Sequence, residues 1–312
     1  MDRYLEFDSA VMDAFAEVGL APRSRMLDLR RPPMRVRILE AGEGEPLILV
    51  HGGGGTAVNW APLMARLPGR RLIAVDRPGC GRSDPADPRG RLRALGSEFV
   101  ESLLDALEIE RGDIVANSMG ALWAICFALD HPERVGHLAM LGSPAVFPGT
   151  SAPPPMRLLS VPGLNRLLLS SRPPSEATMR AALRLMGEPS DVLDRLSTRL
   201  LGAFAAGQRL PDFAQGWTTL LEATLSVFGA RNPVTEAELG RLAVPVLYVW
   251  GDGDGFGGEP AARRCRDATP SSRLVLVRHA GHLPWLAEPD LCAEAVLAFL
   301  AERVSAPVTP WS

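Results

Sequence analysis

Ser118 stands in the stretch DIVANSMGALWA, residues 113–124, where a short apolar run meets a helical pattern. A strand that reverses sharply into a helix strains the residue at the bend and exposes its side chain there. The positions two residues to either side must then be small, so that strand and helix can approach. Ala116 and Gly120 hold those positions, with Ala121 next. Glycine is usual at both, so Ala116 departs from the pattern while still meeting the steric demand. Taken alone, the stretch reads equally as a nucleophile elbow and as a structural turn.

A nucleophilic serine needs a base, and the base an orienting acid. Asp252 and Asp254 follow an apolar run in VWGDGDGFGG, and His279 and His282 follow the next run in VRHAGHLPW. Asp254 lies deeper in its loop and is the better acid; His282, in AGH just before a helical segment, is the better base. His279 sits at a strand end, and His131 and His137 read as structural. A second feature is the glycine run HGGGG at 51–55. Glycines bare the backbone N–H groups, so beside a serine elbow this loop can give one oxyanion donor, with the N–H of Met119 as the other. No GK[ST] follows, and no G-x-G-x-x-G opens into a helix, so a phosphate or dinucleotide loop is excluded. His51 reads as orienting the loop.

Seven strand-like runs can carry these residues, at 34–40, 47–51, 72–76, 114–117, 138–141, 246–250 and 274–277. Several are nearly continuous in Ile, Leu and Val, as strands covered on both faces are. Amphipathic segments at 96–108, 122–129 and 291–300 alternate with them, which argues for a mostly parallel, doubly wound α/β sheet. The alternation stops between 144 and 241. There four helical stretches (156–171, 175–187, 190–207 and 212–229) are separated by Pro and Gly, with no strand expected. The expected layout is an α/β core at 34–143 and 242–303 with a helical cap at 144–241 inserted in it. Residues 1–33 form an extension of one helix and an arginine-rich lead-in, and 304–312 a tail.

The 312 residues can bury a large core without a metal or disulfide staple. All 33 basic residues are arginine, which excludes a catalytic lysine, a Schiff base and a Walker-type loop. A net charge of -3 gives no footprint for nucleic acid. The four cysteines are far apart, as suits free thiols in a reducing compartment. The first residues lack the apolar core of a secretory signal, and no apolar run approaches the ~20 residues of a membrane span. The expectation is a cytoplasmic protein acting on a small molecule without metal or organic cofactor.

The motifs HGGGG (51–55), DRPGCGRSD (76–84), NSMG (117–120), WGDGD (250–254) and AGHLPWLAEP (280–289) together resemble those of α/β-hydrolase-fold enzymes with a helical cap. The resemblance spans about residues 34–303. It implies Ser118 as nucleophile, His282 as base, Asp254 as acid, and Gly53 and Met119 as oxyanion donors. Asp76 and Arg77 begin a structural turn in that family. A serine at the elbow argues against haloalkane dehalogenases and epoxide hydrolases, which carry aspartate there. The elbow and glycine loop are similar to those of hydrolases that cleave C–C bonds in ring-fission products. In that group two asparagines, a cap arginine and a tryptophan after the histidine shape the site. Asn117 and Asn59 match. Leu283, however, follows His282, with Trp285 two places later, and no one of Arg166, Arg172, Arg180, Arg184, Arg195 and Arg199 stands out. Cap residues such as Met156, Leu158, Leu167, Met179, Phe204 and Trp217 are expected mostly to pack helix on helix, the rest lining an apolar acyl or ring pocket. The leading expectation is a serine hydrolase of an ester, lactone or thioester. The alternatives are C–C hydrolysis of a vinylogous diketone, a cofactor-free perhydrolase or haloperoxidase, and a non-catalytic ligand receptor.

Overall fold

The computed structural model describes residues 2–143, 146–170 and 173–302. Arg172 and the 304–312 tail lie outside the described residues. The strands are β1 (Arg23–Arg30), β2 (Pro33–Ala41), β3 (Glu45–Val50), β4 (Arg70–Val75), β5 (Gly112–Ala116), β6 (Val135–Leu141), the short β7 (Leu225–Ser226) and β8 (Gly229–Ala230), β9 (Val246–Gly251) and β10 (Ser272–Val277). Eight form one sheet in the order β1-β2-β4-β3-β5-β6-β9-β10. β1 and β2 pair antiparallel, β2 meets β4 antiparallel, and every later pairing is parallel.

Alternate residues of the central strands feed two cores, which is why these runs are apolar throughout. Ile48, Val50, Ile114, Ala116, Tyr248 and Trp250 face the layer of α3 (Leu92–Ala106), α4 (Met119–Asp130) and α12 (Glu259–Ala268). Leu47, Leu49, Val115, Leu247 and Val249 face α1 (Arg3–Glu17), α2 (Ala61–Met64), α13 (Pro284–Ala287) and α14 (Pro289–Leu300). The loops after β3, β5, β9 and β10 gather at the carboxyl ends of the strands, where open α/β sheets place their sites.

Between β6 and β9 run α5 (Pro154–Leu158), α6 (Leu164–Ser170), α7 (Glu176–Leu185), α8 (Ser190–Arg195), α9 (Thr198–Gln208), α10 (Phe213–Thr224) and α11 (Glu236–Leu239). Two expected helices are each divided. Pro162 and Gly163, the latter at φ 84°, separate α5 from α6. The Ser197 hydroxyl accepts the N–H groups of Arg199 and Leu200 and starts α9 afresh. The cap also holds the β7–β8 hairpin, where no strand was expected. The lead-in before residue 34 is a further difference, for β1 pairs with β2 along its whole length. It is an edge strand in which only Leu27 and Leu29 are buried, and four of its six other positions are charged.

Candidate active site

Ser118 has φ 52° and ψ -116°, a strained conformation for a residue other than glycine. The sequence imposes it by ending β5 at Ala116 and beginning α4 at Met119. Asn117 N–H donates to the Val50 carbonyl (3.0 Å), and its carbonyl accepts the Gly120 N–H (2.7 Å), so the turn is closed on both sides. A Cβ on Gly120 would stand 2.2 Å from the Val50 oxygen, so glycine is required there. Ala116 is buried at the strand end, its methyl group taken into the core beneath the elbow.

His282 and Asp254 meet in the buried floor between two loops. The His282 Nδ1–Asp254 Oδ2 distance is 3.0 Å. Asp254 Oδ2 also accepts the N–H and the hydroxyl of Ser143 (both 3.1 Å), and Oδ1 accepts the Phe256 N–H (2.9 Å). The Phe256 ring lies 4.4 Å from the imidazole, centroid to centroid. Asp252 is turned away, 3.7 Å from Arg278, and the exposed His279 pairs with Asp191 at 2.6 Å.

The glycine loop is held from behind. His51 Nε2 accepts the Arg77 N–H (2.9 Å), so the ring proton sits on Nδ1 and is donated to the Gly52 carbonyl (2.7 Å). Burial, and then the Arg77 charge, hold the His51 pKa well below the usual imidazole value and keep the ring neutral. The Arg77 guanidinium donates to the carbonyls of His51 and Gly52, both at 2.7 Å. With the Gly52 carbonyl fixed toward Arg77, the Gly53 N–H on the other edge of the same planar peptide points away from it. The N–H groups of Gly53 and Met119 bond to no group in the described residues, and both residues line the same cavity as Ser118 and His282.

That cavity is about 1190 Å³. Its floor is the glycine loop, the elbow and His282, and its roof is the cap. Met156, Met179, Leu183, Phe204, Phe213 and Trp217 make much of the wall, with polar points at Thr56, Asn59 and Gln208. A Cβ on Gly53 would stand 2.6 Å from the Trp217 ring, so the loop and α10 are in tight contact.

The model of the alpha/beta hydrolase fold family matches residues 45–289. The chain belongs to the α/β hydrolases. A 2-hydroxy-6-oxononadienedioate/2-hydroxy-6-oxononatrienedioate hydrolase of Pseudomonas putida is 29% identical over 296 residues, covering 91% of this hydrolase and 98% of the relative. One of Cupriavidus pinatubonensis is 30% identical over 258 residues, covering 80% and 84%. Among solved structures, a carboxylesterase of Bacillus subtilis superposes with a TM-score of 0.79 at 22% identity, over 97% of this hydrolase and all of that chain (100%). A meta-cleavage product hydrolase of Pseudomonas fluorescens superposes with a TM-score of 0.70 at 20% identity, over 88% and 96%.

The hydrolase fold thus brings Ser118, Met119, His282, Gly53, Asn59, Asn117 and Trp217 to one cavity, with Asp254 directly behind His282. Trp285 is behind the wall instead. It is buried, stacked on Trp60 at 4.5 Å, and its Nε1–H supports the glycine loop through the Asn59 carbonyl (2.8 Å). The Asn117 amide is occupied too, donating to the carbonyls of Leu141 (2.6 Å) and His282 (3.3 Å), so it ties the elbow to the histidine loop. More of the cap lines the cavity than expected, while Leu167 faces solvent.

Of the cap arginines weighed in the sequence, Arg166 lines the wall; Arg180 caps the carbonyls of Leu193 and Leu196, and Arg195 pairs with Asp191. Two residues went unread in the sequence. Arg209 lines the wall but is paired with Glu6 at 2.5 Å. Glu188, between Gly187 and Pro189, is buried beside the His282 loop. Among the described residues no group of three or more His, Cys, Asp or Glu is placed to hold a metal ion.

Proposed function

We propose that this hydrolase cleaves a carboxylic ester, lactone or thioester with a largely apolar acyl part, through Ser118, His282 and Asp254. The observation that carries the reading is the meeting of four features at one cavity: the strained elbow serine, the His282–Asp254 pair, two unengaged N–H groups, and an aliphatic and aromatic wall.

His282 takes the Ser118 proton as the oxygen attacks the carbonyl carbon, and the carbonyl oxygen becomes an oxyanion facing the N–H groups of Gly53 and Met119. The tetrahedral species collapses with the proton returned by His282 to the departing alcohol or thiol, leaving an acyl-Ser118 ester. Water, deprotonated by the same imidazole, then releases the acid. Asp254, bonded to Nδ1, fixes the tautomer that leaves Nε2 free to accept.

The names of the full-length relatives favour a second reading, cleavage of a C–C bond in a vinylogous diketone. A dianionic substrate of that kind needs cationic partners, and the arginines in the wall are Arg3, Arg166 and Arg209, the last already paired with Glu6.

The test is turnover of p-nitrophenyl esters from acetate to laurate, and of a vinylogous diketone, by wild type and Ser118→Ala. Ester hydrolysis that rises with chain length and falls on the order of 10⁶-fold in Ser118→Ala supports the proposal. Turnover of the diketone alone transfers it to C–C chemistry, and ester turnover that survives in Ser118→Ala overturns it.

A further inference from the structure

Glu188 belongs to the segment joining α7 to α8 in the cap, yet its carboxyl group is committed to the core loop that carries His282. Oε1 accepts the Leu283 N–H (2.7 Å) and Oε2 the Gly281 N–H (3.2 Å), the residues on either side of the histidine. The side chain is 2% exposed. The fit is close on both sides, since a Cβ on Gly281 would come within 2.5 Å of Glu188 N and 2.7 Å of its carboxyl carbon. Two residues earlier, the Met186 carbonyl accepts the N–H of His282 itself (3.2 Å) and that of Gly255 (3.0 Å) in the acid loop. Two residues of the cap, Met186 and Glu188, thus stitch the base loop to the acid loop.

We infer that Glu188 is a positioning residue for His282: its ionised carboxylate, by gripping the two N–H groups that flank the histidine, sets the height and tilt of the imidazole toward Ser118. The inference rests on the reading of His282 as the base for Ser118. An ionised carboxylate offers charged acceptors to both N–H groups, whereas an amide turns one of its two atoms into a donor facing an N–H, and a protonated carboxyl leaves a weaker, uncharged acceptor at both. Burial opposes the charge and pushes the Glu188 pKa up to about 7, against the two N–H bonds and the nearby imidazole. The titratable groups facing it are His282 and Asp254 from the two loops and the Cys292 thiol from α14. The grip is therefore strongest above neutrality and weakens as the pH falls. A displacement of the base by a fraction of an ångström is enough to change the rate of proton transfer substantially.

The test uses the rate at which a fluorophosphonate labels Ser118, a reaction that depends on the serine and its base but not on the natural substrate. In it the serine oxygen forms the bond to phosphorus, fluoride leaves, and His282 takes the proton. Glu188→Gln should label about 10- to 100-fold more slowly than wild type at pH 8. The wild-type-to-variant ratio should shrink toward one as the pH is lowered from 8 to 5.5, since protonated Glu188 resembles the amide. The shorter but charged Glu188→Asp should label faster than Glu188→Gln; a role in packing alone predicts the reverse order and a ratio independent of pH. A folded Glu188→Gln that labels at the wild-type rate at pH 8 overturns the inference. Should that variant not fold, Glu188→Asp decides. Labelling within about tenfold of wild type sustains the need for charge, and a loss as deep as that of His282→Ala ends it. If wild type is not labelled at Ser118 at all, the triad reading falls first and takes this inference with it.

Discussion

Asp254 and Glu188 are both buried carboxyl groups beside His282, but their surroundings differ. Asp254 has four hydrogen-bonding partners, namely the imidazole, both donors of Ser143 and the Phe256 N–H. Glu188 has two, and burial carries its pKa from the ordinary 4.5 to about 7. A carboxyl group whose pKa is raised by folding contributes stability that is fully present below the unfolded value and is lost as the pH rises through the folded value. Wild type should therefore lose stability relative to Glu188→Gln between about pH 4.5 and 7. A rise of that size corresponds to at most about 3 kcal/mol. Urea unfolding of both proteins at pH 5 and pH 8 measures the change, and a difference that does not vary with pH contradicts it. A carboxylate proposed to position His282 is then also a cost to stability at the pH where it is ionised.

The elbow makes its demands at the level of the strand and helix that meet there. Gly120 has no room for a methyl group against the Val50 carbonyl, while Ala116 already carries one in a fully buried position. Gly120→Ala should destabilise the protein by roughly 1–3 kcal/mol and depress turnover further, because α4 must shift at the serine. Ala116→Gly should cost only about 0.5–1 kcal/mol and leave turnover near wild type. Urea midpoints and ester rates on the two variants check the asymmetry, and equal losses of rate would contradict it. This element was legible in the sequence because the residues that mark it, from Ala116 to Ala121, are contiguous, although the Val50 carbonyl on which it closes is distant in the chain. The same holds for β3, β5 and β9, whose two-sided burial makes them continuously apolar, and for the loops that carry Asp254 and His282. β1 escaped notice because an edge strand hides only two of its side chains, and the β7–β8 hairpin because two residues make no period. Glu188 was invisible for another reason: its partners lie 93 and 95 residues away, and no local pattern announces such a pairing.

For the molecule as a whole, the cap is joined to the core by more than its two chain connections. Glu188 and Met186 reach down to the base and acid loops. From the opposite direction, α1 inserts Phe7 and Phe15 into the core shared with α9 and pairs Glu6 with Arg209. Asp8 of the same helix pairs with Arg37 at 2.8 Å, and Arg37 in turn holds the buried Asp76 at 2.7 Å. No helix among the described residues is long and apolar enough to cross a membrane. The cavity lies between these two anchors and is wide enough for a substrate larger than acetate. On the proposed reading, one serine activated by one histidine does the covalent work. Peptide mapping after reaction with a fluorophosphonate, on wild type, Ser118→Ala and His282→Ala, tests it most directly. Wild type should carry a single adduct on Ser118, Ser118→Ala none, and His282→Ala should label several orders of magnitude more slowly. An adduct on another residue, or undiminished labelling without His282, would contradict it.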